Sequence, residues 1–492
     1  MKTFTTLISI VLVWALSLEP CLGFGTGTHF DLTRMVLAEH GFADTPLKIA
    51  QVENWLTDYY ANTPTVGDKD RAVLEKLHFD NLFDEEQVRA YWAVLLRNLR
   101  SSTEKAAREN DRLAMLVTLG IGLHAVQDFY AHSNWAELHP PRDKNEFRSE
   151  TFVRIVESPQ EAMPKGLHTG KYPDGRTSGP GAFPVPTNAD VHGSYHSGLN
   201  KDSPSRPHWD EAFVFAYAAS HELVGAMESW AERVRPGFWR SIREYTVDAA
   251  SEKKLDFDVS AARNMSMWLK GKGQDGTWKG EGSGSTRFFT KFSGNWITED
   301  SSVFVKAMRD GGIKEALAVD LYSPTKVDEL PKIEPFSLQR TAVLIDLTYV
   351  AESTDKNAFQ RALTSSLGGP DLYSRIKAGG QEFWGRTMQA SRETIDPWYE
   401  ILITDPSATE IPIVISVWDE DHTDPVGDAH VDINPAPGRF DLDLVYHVRD
   451  ASLTGDLAGV FSSPATQFRS EGKAPEKSRA VIRGFITQRE VR

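Results

Sequence analysis

Eleven of the 14 histidines fall between His29 and His221, the next two hundred residues contain none, and the last three are His422, His430 and His447. So uneven a distribution implies at least two parts with different chemistry, only one of which gathers imidazoles. Hydrophobic spacing divides the 492 residues in much the same way. Residues 31–40, 45–60, 84–107, 111–131 and 208–234 repeat apolar positions every three to four residues, as helices packed on a core do. More helix is expected over 260–270 and 301–317, separated by the glycine-rich 271–285, while the Gly/Pro-rich 163–207 reads as a long loop. Beyond residue 322 the segments 342–350, 398–404, 411–418, 440–447 and 480–486 are short, β-branched and partly alternating, which is a strand pattern. The expected fold class is therefore multidomain α plus β. An all-α domain spans 24–321, a linker 322–335, and a β-sandwich 336–492, with 355–392 read as a helical insertion between strands.

The first 23 residues stand outside both parts. A basic start at Lys2, an apolar run over 7–18 and the small-x-small ending Cys21-Leu22-Gly23 predict a cleaved secretory signal, with Phe24 as the first mature residue. The acidic Glu19 and Pro20 before Cys21 suit a lipid-anchoring signal badly. Cys21 is the only cysteine, so the mature chain would be exported without a disulfide and would depend on large cores, metals or both. With 54 Lys+Arg against 69 Asp+Glu the formal charge is -15, which argues against a stable nucleic-acid partner.

The sharpest chemistry lies in Gly122-Leu-His124-Ala-Val-Gln-Asp128-Phe-Tyr-Ala-His132. His124, Asp128 and His132 recur every four residues, so on a helix they share one face and form half of a rigid metal site. A lone histidine here would more often be a satisfied core residue. Three ligand types in register within an apolar run reverse that preference. Other elements must complete such a site, and His29, Asp58, His78, His192, His196, Asp202 and His208 are available. His40, His139, His168 and His221 are expected to be surface or core histidines.

The phrase from Leu123 to Trp135 and the later Gly198-Leu-Asn-Lys-Asp-Ser203 resemble the zinc-dependent phospholipase C and single-strand nuclease superfamily, especially its branch related to fungal heterokaryon-incompatibility C proteins. That resemblance covers roughly residues 24–321 and implies an all-helical fold with up to three zinc ions in a cleft. It implies one zinc on Asp58, His78, His124 and Asp128, and a second on Phe24, His29 and a bridging Asp128. Phe24 would act through its free amine and carbonyl oxygen, although the superfamily usually has tryptophan there. A third zinc would take His132 with His192 and His208, and Asp202 or Glu211 compete as further partners because Ala212 stands where a glutamate is often found. By resemblance Asp58 also orients or deprotonates the attacking water; pure ligation is the equal alternative.

In the second part, Asp419, Asp421 and Asp424 gather oxygen ligands in one loop, which suits calcium as well as a solvated hairpin tip. The stretch Ile395-Asp396-Pro-Trp-Tyr-Glu-Ile-Leu402 resembles the Asp-Pro-Tyr strand start of C2 domains, and the three aspartates resemble that family's third calcium loop. Asp396 joins them as an implied ligand; Asp355 and Asp346 are alternatives for the first loop. Together these resemblances imply a secreted zinc phosphodiesterase, foremost a phospholipase C, docked by calcium on a phospholipid surface. A nuclease for single strands and an inactive protein that keeps the zinc fold are the rivals.

Overall fold

The computed structural model describes residues 26–61, 77–141, 146–147, 164–171, 199, 201, 204, 206–270, 339–352, 372–385, 399–419, 429–457, 466–473 and 478–491. The leader 1–23, the linker 322–335, and the expected helix 301–317 with the glycine-rich stretch before it lie outside these residues.

The first region is helical. Its long helices are α1 (Thr26–Glu39), α2 (Asp44–Ala61), α3 (Glu85–Glu109) and α4 (Arg112–His132), and later α6 (Trp209–Val234) and α8 (Ala249–Lys270). Spacing does not predict the two short helices α5 (Trp135–Leu138) and α7 (Phe238–Arg243), and α8 begins well before residue 260. Local chemistry sets the hairpin of α3 and α4. Asp84 caps α3 by accepting from the Gln87 amide at 2.8 Å, and Asp111 caps α4 by accepting from the Ala114 amide at 2.9 Å. Between them Asn110 takes the left-handed conformation at φ 58°, closing α3 so that the chain reverses at once.

α4 is the central helix, packed on α2, α3 and α6. Every residue from Met115 to His132 is buried, so the helix is enclosed on all sides rather than striped. A Cβ at Gly120 would lie 2.6 Å from the Ala50 carbonyl oxygen and 2.8 Å from Glu53 Cβ. Glycine there lets α2 and α4 touch backbone to backbone, one turn from His124.

The second region is two packed sheets whose long strands pair antiparallel. The first contains β2 (Arg340–Glu352), β5 (Tyr399–Thr404), β10 (Thr466–Glu471) and β11 (Ala480–Val491), with β11 between β2 and β10. The second runs β4 (Gln381–Trp384), β3 (Leu372–Ala378), β6 (Glu410–Asp419), β8 (Leu442–His447), β9 (Ser452–Gly455), and β7 (Ala429–Val431) also pairs with β6. Inward residues of both sheets, including Ile345, Ile401, Ile413, Leu444 and Ile482, are buried in the core. The expected helical insertion over 355–392 is corrected at its centre: β3 and β4 form a hairpin turning on Gly379 and Gly380, at φ 54° and 81°. Positive φ at both turn residues gives the twist that joins tight antiparallel strands, and Gly-Gly accepts it without strain.

The two regions are stitched together. A short strand β1 (Glu146–Phe147), from the helical half of the chain, pairs in parallel with the last residues of β11. Arg489 donates to Asp210 at 2.8 Å while its guanidinium lies 4.8 Å from the Phe147 ring centroid. Arg34 donates to the Glu382 carbonyl at 2.6 Å, and Trp209 meets Tyr399 edge-on at 5.3 Å. Buried apolar residues of both regions form one continuous core.

Candidate metal centre

α4 carries the site because its four-residue repeat survives intact: His124, Asp128 and His132 are all 0% exposed. α1 brings His29, also 0% exposed, and the turn before α3 brings His78, at 1%. That turn is held by Phe79 and Asn81, both left-handed at φ 55° and 62°. Such conformations in non-glycine residues persist only where packing enforces them. Phe79 is wedged among Tyr91, Trp92 and Phe129, and the Asn81 amide donates to the Gly170 carbonyl at 2.8 Å.

The imidazoles converge on one carboxylate. On Asp128 Oδ1 lie His29 Nε2 at 2.9 Å and His132 Nε2 at 3.8 Å. On Oδ2 lie His124 Nε2 at 3.1 Å and His78 Nε2 at 3.9 Å. The two Nε2 atoms of His78 and His124 are 3.3 Å apart, and the His29 and His124 rings stack at 4.4 Å. Ligand atoms of His29, His124 and Asp128 all fall within 4.8 Å of one another, close enough to share an ion.

Two observations test whether these residues fit a metal. Asp128 Oδ2 is buried yet makes no well-formed hydrogen bond, which an unshielded carboxylate oxygen ordinarily must. The donors are imidazole nitrogens and a carboxylate, the set that zinc prefers. The residues therefore fit. Electrostatics agree: burial would push Asp128 up, but the nearby imidazoles of His124 and His29 outweigh it and hold the carboxyl well below the usual range.

His208, expected on the third zinc, sits at the start of α6 in a left-handed conformation with Nδ1 3.8 Å from Glu211. Glu211 itself is pushed up to about 8 by burial and by its neighbour Asp210. Phe24, His192 and Asp202 lie outside the described residues; Asp58 belongs to α2, but its side chain lies outside them too. Of the remaining histidines, His40 and His221 share a 3.0 Å hydrogen bond, while His139 meets the Trp135 carbonyl and His168 that of Gly166. None of these four joins the Asp128 group. Spacing misses Asn54 and Gln127, amides at 0% exposure beside the histidines. Their only signal is a polar amide inside an apolar run.

In the sheet region Asp419 ends β6, paired with Leu372 and Ala429. Asp396, Asp421, Asp424 and the alternative Asp355 lie outside the described residues. Asp346 is half-buried on β2 opposite Tyr399, and burial raises it to about 6.

A family model described as the VWA7 N-terminal domain matches residues 65–148. That stretch includes His78, His124, Asp128 and His132; the matching model is not that of the heterokaryon-incompatibility C branch. The human von Willebrand factor A domain-containing protein 7 is 30% identical over 172 residues. The chain spans only 19% of that relative's length. Among solved structures, a C2 domain of a plant extended synaptotagmin 1 aligns at 11% identity and a TM-score of 0.20, over 31% of this chain and 97% of that one. The alpha toxin from Clostridium absonum aligns at 11% identity and a TM-score of 0.16, over 91% of this chain and 97% of that one. Scores this low leave the fold to rest on its own helix and strand order.

Proposed function

We propose that the chain is a secreted zinc-dependent phosphodiesterase of phospholipase C type, docked on phospholipid by a calcium-binding, C2-like sheet region. The observation that carries this reading is the division of Asp128, with His29 and His132 on one oxygen and His124 and His78 on the other. A carboxylate flanked on both oxygens suits a bridge between two cations. When bound, zinc supplies Lewis acidity toward the oxygens of a phosphodiester. The chain's own contribution is placement: α4 holds three donors rigidly, α1 and the strained turn at Phe79 deliver two more, and the apolar helix walls keep bulk water away. Asp58, one turn beyond Asn54 on α2, either orients and deprotonates the attacking water or serves as a ligand. Phe24, His192, Asp202 and His208 complete the proposed zinc set, and Asp396, Asp419, Asp421 and Asp424 the calcium set.

A second reading has its own observation. All five converging side chains are no more than 1% exposed, which suits a structural metal as well as a substrate-accessible one. Hydrolysis separates them. Zinc-loaded mature chain is expected to release phosphorylated head group from phosphatidylcholine vesicles, more with calcium present, and to stop with chelator. Zinc retained without hydrolysis supports the structural reading. Cleavage of single-stranded nucleic acid instead of lipid makes the site a nuclease.

A further inference from the structure

Each histidine beside Asp128 presents Nε2 inward, and for three of them the structure also records what holds the other nitrogen. His29 Nδ1 lies 2.8 Å from Gln127 Oε1, His124 Nδ1 lies 3.4 Å from Asn54 Oδ1, and His132 Nδ1 lies 3.1 Å from the Leu199 carbonyl. With a metal beside Asp128, an oxygen acceptor at Nδ1 holds the ring proton there and leaves Nε2 as the lone-pair nitrogen; without one, Nε2 shares a proton with Asp128, at 2.9 Å for His29 and 3.1 Å for His124.

The two amides belong to one closed network. Asn54 Nδ2 donates to Gln127 Oε1 at 3.2 Å and to Thr33 Oγ1 at 3.0 Å. Gln127 Nε2 donates in turn to Thr33 Oγ1 at 3.4 Å and Ser220 Oγ at 3.3 Å. α1, α2, α4 and α6 thus each contribute one polar residue, and all four residues are 0% exposed. Burying two amides and two hydroxyls in a helical core is costly unless each is bonded, so their presence calls for a role. The glycine contact at Gly120 brings α2 close enough for Asn54 to reach both His124 and Gln127.

We propose that Asn54 and Gln127 are positioning residues that hold His124 and His29 in the Nδ1-protonated tautomer, with Nε2 aimed at the metal beside Asp128. The inference rests on the metal reading above. Lys201 supports the third acceptor: its ammonium, 0% exposed, donates to the Ser133 carbonyl at 3.0 Å and pairs with Glu137 at 2.9 Å. It thereby pins the segment that carries the Leu199 carbonyl to the end of α4. This gives a task to part of the Gly198-Leu-Asn-Lys-Asp-Ser203 motif.

The test compares zinc affinity of the full mature chain with two variants by chelator competition at fixed pH. Gln127→Glu keeps an acceptor for His29, whereas Gln127→Met keeps only the shape. The expected result is a 10–100-fold loss for Gln127→Met, the range found when a metal ligand's outer partner is removed. Gln127→Glu should stay within a few fold of the parent. Nitrogen-15 spectra of the parent chain add a readout that needs no variant: zinc-loaded His29 and His124 should carry the proton on Nδ1. Equal losses in both variants, or an unchanged Gln127→Met, would overturn the positioning role while leaving the metal reading intact. Protonated Nε2 atoms in the zinc-loaded chain would do the same. A parent chain that binds no zinc would overturn the metal reading itself.

Discussion

The helical and sheet regions both bury mainly apolar residues but differ in how they bury polar ones. In the sheets burial alternates along a strand: β10 buries Thr466, Phe468 and Ser470 and exposes the residues between, and β6 alternates through much of its length. The inward faces are mostly aliphatic, and charge is largely kept to the rims. In the helical region the most buried element, α4, carries His124, Gln127, Asp128 and His132 where a sheet would place isoleucine. A core of aliphatic residues is stable under most conditions, whereas a core of imidazoles and a carboxylate depends on what neutralises it. On the metal reading, the stability of the helical region depends on the cation its core holds, while the mostly aliphatic core of the sheets needs none.

The strongest way to break this comparison is Asp128→Ala. It leaves buried imidazoles without their shared partner, a change that costs about 3–5 kcal/mol for a broken buried pair. Chemical denaturation followed by far-ultraviolet circular dichroism should show the helical signal lost at lower denaturant while the β-sheet signal moves far less. A smaller effect is expected from acid. Burial, aided by the charge of Arg243, holds His40 down at about 4, and burial with His40 and Arg340 nearby lowers its hydrogen-bonded partner His221 as well. Between about 6.5 and 4 the unfolded chain takes up protons that the folded pair refuses, so stability is full above that window and falls as pH drops through it. The His40 contribution alone amounts to roughly 3–4 kcal/mol, and His40→Gln should flatten the acid limb of the plot of stability against pH. Smallest, Arg489→Ala removes the part-buried bridge to Asp210, worth about 1 kcal/mol. Its effect is to separate the two transitions rather than to lower either greatly, and calorimetry should show the splitting.

How much of the molecule is legible in the sequence follows from the range of the contacts. His124, Asp128 and His132 are legible because helical geometry alone puts them on one face. His29 and His78 can be named by type, but their approach to opposite oxygens of Asp128 depends on α1 and on the strained turn at Phe79, which spacing does not encode. Asn54 and Gln127 escape notice because an amide is not a ligand type, and its value lies in the partner across the core. In the second region the long aliphatic strands are clear. The hairpin of β3 and β4 reads as helix although Gly379-Gly380 is a strong turn signal, because the polar Ser374 takes a buried position and breaks its alternation. β10 is hidden for a related reason: two of its inward residues, Thr466 and Ser470, are polar. β1 is only two residues long and exists because β11 offers it an edge.

On the metal reading, the carboxylate of Asp128 and the imidazoles around it form a cation-holding core. Elemental analysis of the zinc-equilibrated, gel-filtered chain tests this. The expected result is at least one, and with both oxygens engaged two, tightly held zinc ions per chain, all of them lost in Asp128→Ala. A parent chain that emerges folded and free of zinc, or an Asp128→Ala chain with undiminished zinc, would contradict the account.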